Sequence, residues 1–256
     1  MRKASFHTAL LAVVLAGSLT AGDDPFIGKW KSNPAKGKTS GQHWKIESLG
    51  GNRYAFSSEI PYQIVADGSD QPTETGGTHS LKIIDPGTWR FVDKRDGAIT
   101  LEDTLTLSPD GKTLSSHSIS TDASGSKHES SSHWKRVSGS GGFAGDWEST
   151  GFQMAPAEVE FQPLAGGISF VYAAYKRHID LKFDGNDYAW QGPRTDPSMT
   201  SSAKRPKPDL LEILDKHNGK VVDTVEFRVS SDGKTLTLSS KGALQTTPEI
   251  VVFEKQ

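Results

Sequence analysis

The segment Phe26-Ile27-Gly28-Lys29-Trp30 is the most informative part of this chain, because its pattern returns as Phe143-Ala144-Gly145-Asp146-Trp147. Later landmarks recur in the same order. Asp67-Gly68 is matched by Asp184-Gly185, and the string SPDGKTL at residues 108–114 returns as SSDGKTL at residues 230–236. Self-similarity at a long and nearly constant interval indicates two homologous units rather than one undivided domain.

The repeat predicts where the chain divides. Residues 23–137 and 143–256 are the two predicted β domains. Residues 138–142, which read SGSGG, have the composition of a flexible linker and fall where the repeat places a boundary.

Alternating apolar and polar residues predict strands in both units. Leu101, Leu105 and Leu107 share one face of a strand, and Val225 and Phe227 do the same in the second unit. This period of two is typical of a sheet with one face in a core and the other in water. About eight to ten such runs occur in each unit, so we expect an all-β fold of two antiparallel barrels in tandem.

Turn chemistry and composition refine this expectation. Asp-Gly and Asn-Gly pairs at residues 96–97 and 218–219 favour tight hairpins between strands. Residues 88–95 and 209–217 are both predicted as strands. Residues 194–208 contain three prolines, and we expect them to form an exposed loop rather than a central strand.

The first residues predict export. Arg2 and Lys3 precede an apolar run at residues 9–17, followed by small residues. This pattern is typical of a signal peptide over residues 1–22, cleaved near Ala21/Gly22. The apolar run is shorter than the roughly 20 residues that a membrane-spanning helix needs. We therefore expect a periplasmic or secreted protein that does not span the membrane.

Composition excludes several classes of function. The chain has no cysteine, which excludes disulfides, thiol catalysis and a lipid anchor on cysteine. Its formal net charge is −2. Since no basic stripe is present, we expect no nucleic-acid partner.

The two openings resemble those of lipocalin-like (calycin) domains, which begin with Gly-x-Trp. In that superfamily the indole closes one end of the barrel beneath a basic residue from the last strand. The resemblance implies this structural role for Gly28 and Trp30, and for Gly145 and Trp147. It also implies that Arg136 and Lys255, at the ends of the two units, are the covering cations. The tandem further resembles exported bacterial proteins of this class that carry the SxDGKTL hairpin.

The same resemblance implies non-catalytic binding or carriage of a small, largely apolar molecule. Aromatic side chains are the candidate ligand contacts: Tyr54, Phe56, Tyr62, Phe170, Tyr172 and Tyr175. Arg53 and Lys176 are candidate anchors for a carboxylate on that molecule. The alternative is that these aromatics are ordinary core residues and the two charges are solvated.

Two other functions stay open. One is an interaction or scaffold module that binds a protein or a cell-envelope polymer. The other is an enzyme with a site in one barrel mouth, which would gather polar residues there without counterparts in the other barrel. No nucleophile elbow, phosphate loop or dinucleotide fingerprint appears, so we expect neither catalysis nor a cofactor. His117, His128 and Glu129 lack the spacing of known metal motifs, and we expect no metal site.

Overall fold

The computed structural model describes residues 24–38, 41–57, 60–74, 76–243, 245 and 247–256. The predicted signal peptide lies outside these residues. The described part of the chain is all-β, as predicted, and forms two antiparallel sheets of ten strands each. No helix within it is long and apolar enough to cross a membrane.

One sheet, the first barrel, contains ten consecutive strands. They are β2 (His43–Gly50), β3 (Arg53–Ser57), β4 (Tyr62–Val65), β5 (Gln71–Pro72), β6 (Thr78–Asp85), β7 (Thr88–Arg95), β8 (Ala98–Leu107), β9 (Thr113–Thr121), β10 (Lys127–Gly141) and β11 (Ala144–Met154). Their order in the sheet is β4-β3-β2-β11-β10-β9-β8-β7-β6-β5.

The other sheet, the second barrel, contains β1 and the last nine strands. They are β1 (Gly28–Ser32), β12 (Glu158–Leu164), β13 (Gly167–Tyr172), β14 (Arg177–Lys182), β15 (Tyr188–Ala189), β16 (Met199–Lys207), β17 (Leu210–His217), β18 (Lys220–Val229), β19 (Thr235–Gly242) and β20 (Glu249–Lys255). Their order is β14-β13-β12-β1-β20-β19-β18-β17-β16-β15. Two 3-10 helices, Pro34–Lys36 and Ala173–Tyr175, lie between strands.

Both sheets curl until their edge strands nearly meet. In the first barrel the Gln71 side chain bridges the gap, because its amide donates to the Val65 carbonyl at 2.8 Å and accepts from the Val65 N–H at 2.9 Å. In the second barrel, reciprocal backbone hydrogen bonds of 3.0 and 2.8 Å join His178 and Gln191. These contacts give two nearly closed barrels, which leave few unpaired strand edges.

The two repeats exchange their opening strands. β1 pairs with β12 and β20 of the second barrel, whereas β11 pairs with β10 and β2 of the first. The first barrel is therefore one continuous segment, residues 43–154, inserted between β1 and β12 of the second. Because the repeats are homologous, each opening strand finds equivalent neighbours in the other barrel.

The chain crosses between the barrels by two matching connections. Ser32 N–H donates to the Ala157 carbonyl at 2.8 Å, and Ser149 N–H donates to the Gln42 carbonyl at 2.9 Å. In both places the serine hydroxyl accepts the N–H of the same partner residue. The paired connections preserve the symmetry of the repeat at the point of exchange.

Three segments discussed above have defined places in the sheets. Residues 88–95 form β7 and residues 210–217 fall in β17, which confirms both predicted strands. The expectation of an exposed loop over residues 194–208 is wrong for β16, which pairs with β15 and β17. Pro206 is accommodated because the register is irregular between Lys204 and Lys207, where no ladder N–H is needed.

The segment at residues 138–142 forms the end of β10 and the start of the turn to β11. β10 continues to Gly141, with register irregularities after Arg136 and after Ser138. Gly139 has a φ of 86°, a conformation that favours glycine. The glycines of this segment therefore shape a bulged hairpin that leads into the opening strand of the second repeat.

Each barrel has its own hydrophobic core. Trp147 lies in the core of the first barrel together with Ile46, Trp89 and Phe143. Trp30 lies in the core of the second barrel, whose buried members include Phe26, Phe161, Phe227 and Phe253. Trp30 and Trp147 therefore each lie in the barrel that is built mainly from the other repeat.

The strand exchange predicts which barrel each tryptophan stabilises. Trp30→Ala should lower the free energy of unfolding by about 3–5 kcal/mol, the usual cost of truncating a buried tryptophan. Hydrogen exchange should accelerate in β12 and β20 and not in β2 and β10.

Trp147→Ala is the matched control, with faster exchange expected in β2 and β10. If Trp30→Ala instead loosened β2 and β10, each opening strand would belong to its own repeat and the exchange would be refuted.

Candidate functional site

One end of each barrel is closed by the repeated Phe-x-Gly-x-Trp segment. Trp30 Nε1 donates to the Phe26 carbonyl at 2.8 Å, and Trp147 Nε1 donates to the Phe143 carbonyl at 2.9 Å. Both indoles are 0% exposed. Since a buried indole N–H without an acceptor is costly, the spacing of phenylalanine and tryptophan provides one locally.

The glycine of the motif allows this close packing. Gly145 has a φ of 150°, and a Cβ built there would lie 2.5 Å from the Ser138 carbonyl oxygen. Gly28 has a φ of 127° and would bring a Cβ within 3.3 Å of the Lys255 side chain. Both positions favour glycine through backbone conformation, and Gly145 also through lack of space.

A cation covers each buried indole. The guanidinium carbon of Arg136 lies 4.1 Å from the Trp147 ring centroid, and Lys255 Nζ lies 5.1 Å from that of Trp30. Arg136 and Trp147 are directly opposite each other in the ladder, as are Lys255 and Trp30. The exchanged strands therefore place each cation on the tryptophan of the other repeat.

Arg136 also fixes the surrounding loops. Its guanidinium donates to the carbonyls of Gly111, Gly142 and Ala144 at 2.6, 2.5 and 2.7 Å. Gly111 is the glycine of the first SxDGKTL hairpin, so this motif contacts the closed end. The residues assigned by resemblance thus pack, cap and close the barrels.

The first barrel contains a cavity of about 510 Å³. Its walls combine apolar side chains with a few polar ones, as ligand sites do. The inward-facing residues are Trp44, Tyr62, Ile64, His79, Phe91, Asp93, Leu101 and Asp103. A second space of about 240 Å³ shares Trp44 and Asp103 with it and extends towards Trp134 and Gln245.

A series of ring contacts follows the cavity wall. Consecutive centroids are 5.7 Å apart for Trp134 and Trp44, 5.4 Å for Trp44 and Phe56, and 4.9 Å for Phe56 and Tyr62. Tyr62 then meets His79 edge-on at 5.2 Å. Such pairs stabilise one another, and together they form a wall suited to a flat apolar group.

Polar groups converge at the same place. His79 Nδ1 contacts Asp93 Oδ1, while the buried Nε2 of His79 has no hydrogen-bond partner among the described residues. Asp103 Oδ1 accepts hydrogen bonds from the Ser116 and Ser118 hydroxyls at 2.6 and 2.9 Å. His79, Asp93 and Asp103 therefore bring one imidazole and two carboxyl groups to a pocket that aromatic and aliphatic side chains also line.

Burial shifts two titratable groups in the cavity. It raises the pKa of Asp103, opposed by the Ser116 and Ser118 hydrogen bonds and assisted by the negative charge of Asp93. Burial likewise raises the pKa of Tyr62, with smaller contributions from Asp93 and Asp103. Groups with shifted pKa values inside a cleft are common at functional sites.

The second barrel holds related but different polar groups. Where His79 faces Asp93 in the first barrel, Ser201 faces Asp215 in the second, and the Ser201 hydroxyl donates to Asp215 at 2.5 Å. The register places Val225, which is buried, at the position of Asp103. His79 and Asp103 therefore distinguish the first barrel.

The predicted ligand contacts fall in different places. In the first barrel Tyr62 lines the cavity and Phe56 packs behind it, whereas Tyr54 lies against Trp89 at 4.6 Å. Arg53 is exposed on β3.

In the second barrel Phe170 stacks on Phe161 at 4.9 Å within the core. Tyr172 and Tyr175 line a groove of about 300 Å³ between the barrels, together with Phe152 and His128. Lys176 is exposed and has a φ of 52° at the end of a 3-10 helix.

Sequence reasoning missed Trp44, His79, Phe91, Asp93 and Asp103. A signal for Asp103 existed, because it lies between Leu101 and Leu105 on the apolar face of its strand. Asp93 likewise follows Phe91 at a spacing of two. An acid in an apolar series marks an inward-facing polar group.

The histidines considered for metal binding are in separate pairs. His117 Nε2 is 3.4 Å from Glu129, and His128 Nε2 is 2.9 Å from Asp122. Across the described ranges no three His, Cys, Asp or Glu residues are grouped as metal ligands.

Known proteins provide no assignment of the chain to a family. No protein-family model matches it, and no curated protein matches it either.

Burial of Asp103 predicts an unusual dependence of stability on pH. Because its folded-state pKa is raised, the folded protein holds this proton to higher pH than the unfolded chain does. Stability is therefore lost as pH rises from the unfolded pKa through the folded one. Asp103→Asn keeps an acceptor for both serines and should raise Tm at pH 7, with a smaller effect near pH 3.

Asp110→Asn is the control with the opposite sign. Hydrogen bonds from Ser108 and from the Lys112 N–H lower the pKa of Asp110, so its contribution is present at neutral pH and lost in acid. Thermal unfolding of both variants across this pH range checks the expectation. Equal losses of Tm at pH 7 would contradict it.

Proposed function

We propose that the protein binds a small, largely apolar molecule in the first-barrel cavity and performs no catalysis there. The observation that carries this proposal is the open pocket of about 510 Å³, whose lining includes Trp44, Tyr62 and Phe91. Phe56 contacts both Trp44 and Tyr62 from behind the pocket surface. Small-ligand sites have volumes of roughly 300–1,000 Å³ and mostly apolar walls with a few polar anchors. The cavity has these properties.

The charges in the cavity favour a ligand with a positively charged group. Its described lining residues include Glu74, Asp93 and Asp103 but no lysine or arginine. A cation would pair with these carboxylates and meet the face of Trp44 or Tyr62, a contact worth about 0.5–2 kcal/mol. The sequence suggested a ligand carboxylate near Arg53 and Lys176, but both side chains are exposed.

We propose further that the protein is an exported relative of lipocalin-like carriers. Support comes from the barrel closed by a Gly-x-Trp strand beneath a basic residue, and from the signal-peptide pattern over residues 1–22. The closed end of the first barrel gives the strongest support for this relationship, because the Arg136 side chain both covers the Trp147 indole and donates to three carbonyls.

A specific observation favours acid–base catalysis as a second candidate function. Asp93 contacts one nitrogen of His79, which is how a carboxylate orients a histidine that acts as general base. Asp103, a carboxylic acid with a raised pKa, lies in the same cavity. The equivalent of His79 in the second barrel is Ser201, so the histidine is present in one barrel alone, as expected of a single enzymatic site.

The ligand proposal is tested with a matched pair of probes, 1-naphthylmethylamine and 1-naphthylacetate. Calorimetry should show binding of the amine at least about tenfold tighter than of the acid, equivalent to about 1.4 kcal/mol. Asp93→Asn should weaken amine binding by a similar factor. Amine binding should also quench tryptophan fluorescence, because Trp44 lines the cavity.

Asp215→Asn is the control, since Asp215 occupies the equivalent position in the second barrel. It should leave amine binding unchanged. Native mass spectrometry of protein from its own host should show a retained small molecule that Phe91→Trp displaces by filling the cavity. Equal affinity for both probes would refute the charge argument, and conversion of the retained molecule would favour catalysis.

A further inference from the structure

Two arginines from different barrels converge on one carbonyl oxygen. Arg95 Nη1, at the end of β7, and Arg177 Nη2, at the start of β14, donate to the Arg194 carbonyl at 3.4 and 2.7 Å. Arg177 Nε also donates to the Pro193 carbonyl at 3.0 Å. Both acceptors are neutral carbonyl oxygens, so these three hydrogen bonds bring the guanidinium groups together without adding negative charge.

These arginines line a groove of about 260 Å³ between the barrels. Its wall also contains Thr100 and Thr121 of the first barrel and Tyr175 of the second. The Arg177 guanidinium lies 5.8 Å from the Tyr175 ring centroid. The groove thus combines guanidinium, hydroxyl and phenol groups, which are donors suited to an oxyanion.

Among the described residues that line this groove, positive charge exceeds negative charge. Its lining residues include three arginines and one carboxylate, Asp196. That carboxylate accepts the Ser198 N–H at 2.9 Å and the Ser198 hydroxyl at 2.6 Å, within its own turn. Burial and the neighbouring charges of Arg95 and Arg194 lower the pKa of Arg177, as expected where like charges gather.

Arg177 has hydrogen-bond donors that remain available to a ligand. Arg177 uses Nε and Nη2 for the two carbonyls, and its Nη1 has no hydrogen-bond partner in the described part of the chain. A guanidinium fork matches the geometry of phosphate and sulfate oxygens. An anion here would compensate the charge and occupy this free donor.

We propose that the groove is a binding site for a phosphate group, either inorganic phosphate or a small phosphate monoester. The anion accepts hydrogen bonds from Arg95 of the first barrel and Arg177 of the second, and so holds the two barrels against each other. The groove shares no lining residue with the first-barrel cavity. This site is therefore distinct from the small-molecule site proposed above.

Calorimetric titration tests the proposal at constant ionic strength, with inorganic phosphate and glycerol 3-phosphate as separate probes and chloride as the reference anion. Wild type should bind phosphate saturably below about 10 mM, and its Tm should rise with phosphate concentration. Arg177→Gln should weaken binding at least tenfold. Arg177→Lys should restore part of the loss, because charge returns without the fork.

Arg228→Gln is the matched control, since it removes the same charge from a side chain that contacts Asp209 outside the groove. It should bind phosphate as wild type does. Arg95→Gln removes the arginine that the first barrel contributes, and it should also weaken phosphate binding. This variant tests the proposal if Arg177→Gln does not fold.

Tighter binding of glycerol 3-phosphate than of phosphate would identify a monoester as the ligand, and the reverse order would identify the free ion. The proposal is overturned if wild type shows no saturable phosphate binding, if chloride competes equally, or if Arg228→Gln causes the same loss.

Discussion

Each barrel is closed at one end by a tryptophan indole that has been removed from water and must find a hydrogen-bond acceptor. The carbonyl of the phenylalanine four residues earlier supplies it, and an intervening glycine with positive φ brings the two together. A cation from the opposite strand covers the ring. Because this unit needs only its own strand and a matching last strand, it functions in either barrel.

That self-contained closure explains how the repeats can exchange their opening strands. β1 carries its indole, acceptor and glycine into the second barrel, where Lys255 lies opposite, and β11 meets Arg136 in the first. The crossover connections are also alike, with Ser32 and Ser149 making equivalent contacts. Exchange therefore keeps every pairing of the repeat while linking the barrels covalently at two places.

The two barrels differ in the polar groups on their equivalent strands. A histidine opposite an aspartate in the first barrel corresponds to a serine in the second, and Asp103 corresponds to a buried valine. Buried carboxyl groups cost stability unless they are hydrogen-bonded, and Asp103 receives two serine hydroxyls. The valine at this position removes one such carboxyl group from the second barrel, in which Asp215 and Asp223 still lie opposite each other.

Local patterns in the sequence determined the strands, the hairpins and the closing motif, because alternation, turn residues and the Phe-x-Gly-x-Trp spacing act over a few residues. Asp103 was readable in principle, as an acid within an apolar series. The partner of each opening strand was not readable, since homologous repeats offer two equivalent neighbours and only packing selects between them. The contacts of His79 with Asp93 and the proximity of Arg95 to Arg177 could not be predicted from the sequence either. These pairs form across a ladder or between barrels, so their distances arise only when the sheets have curled and met.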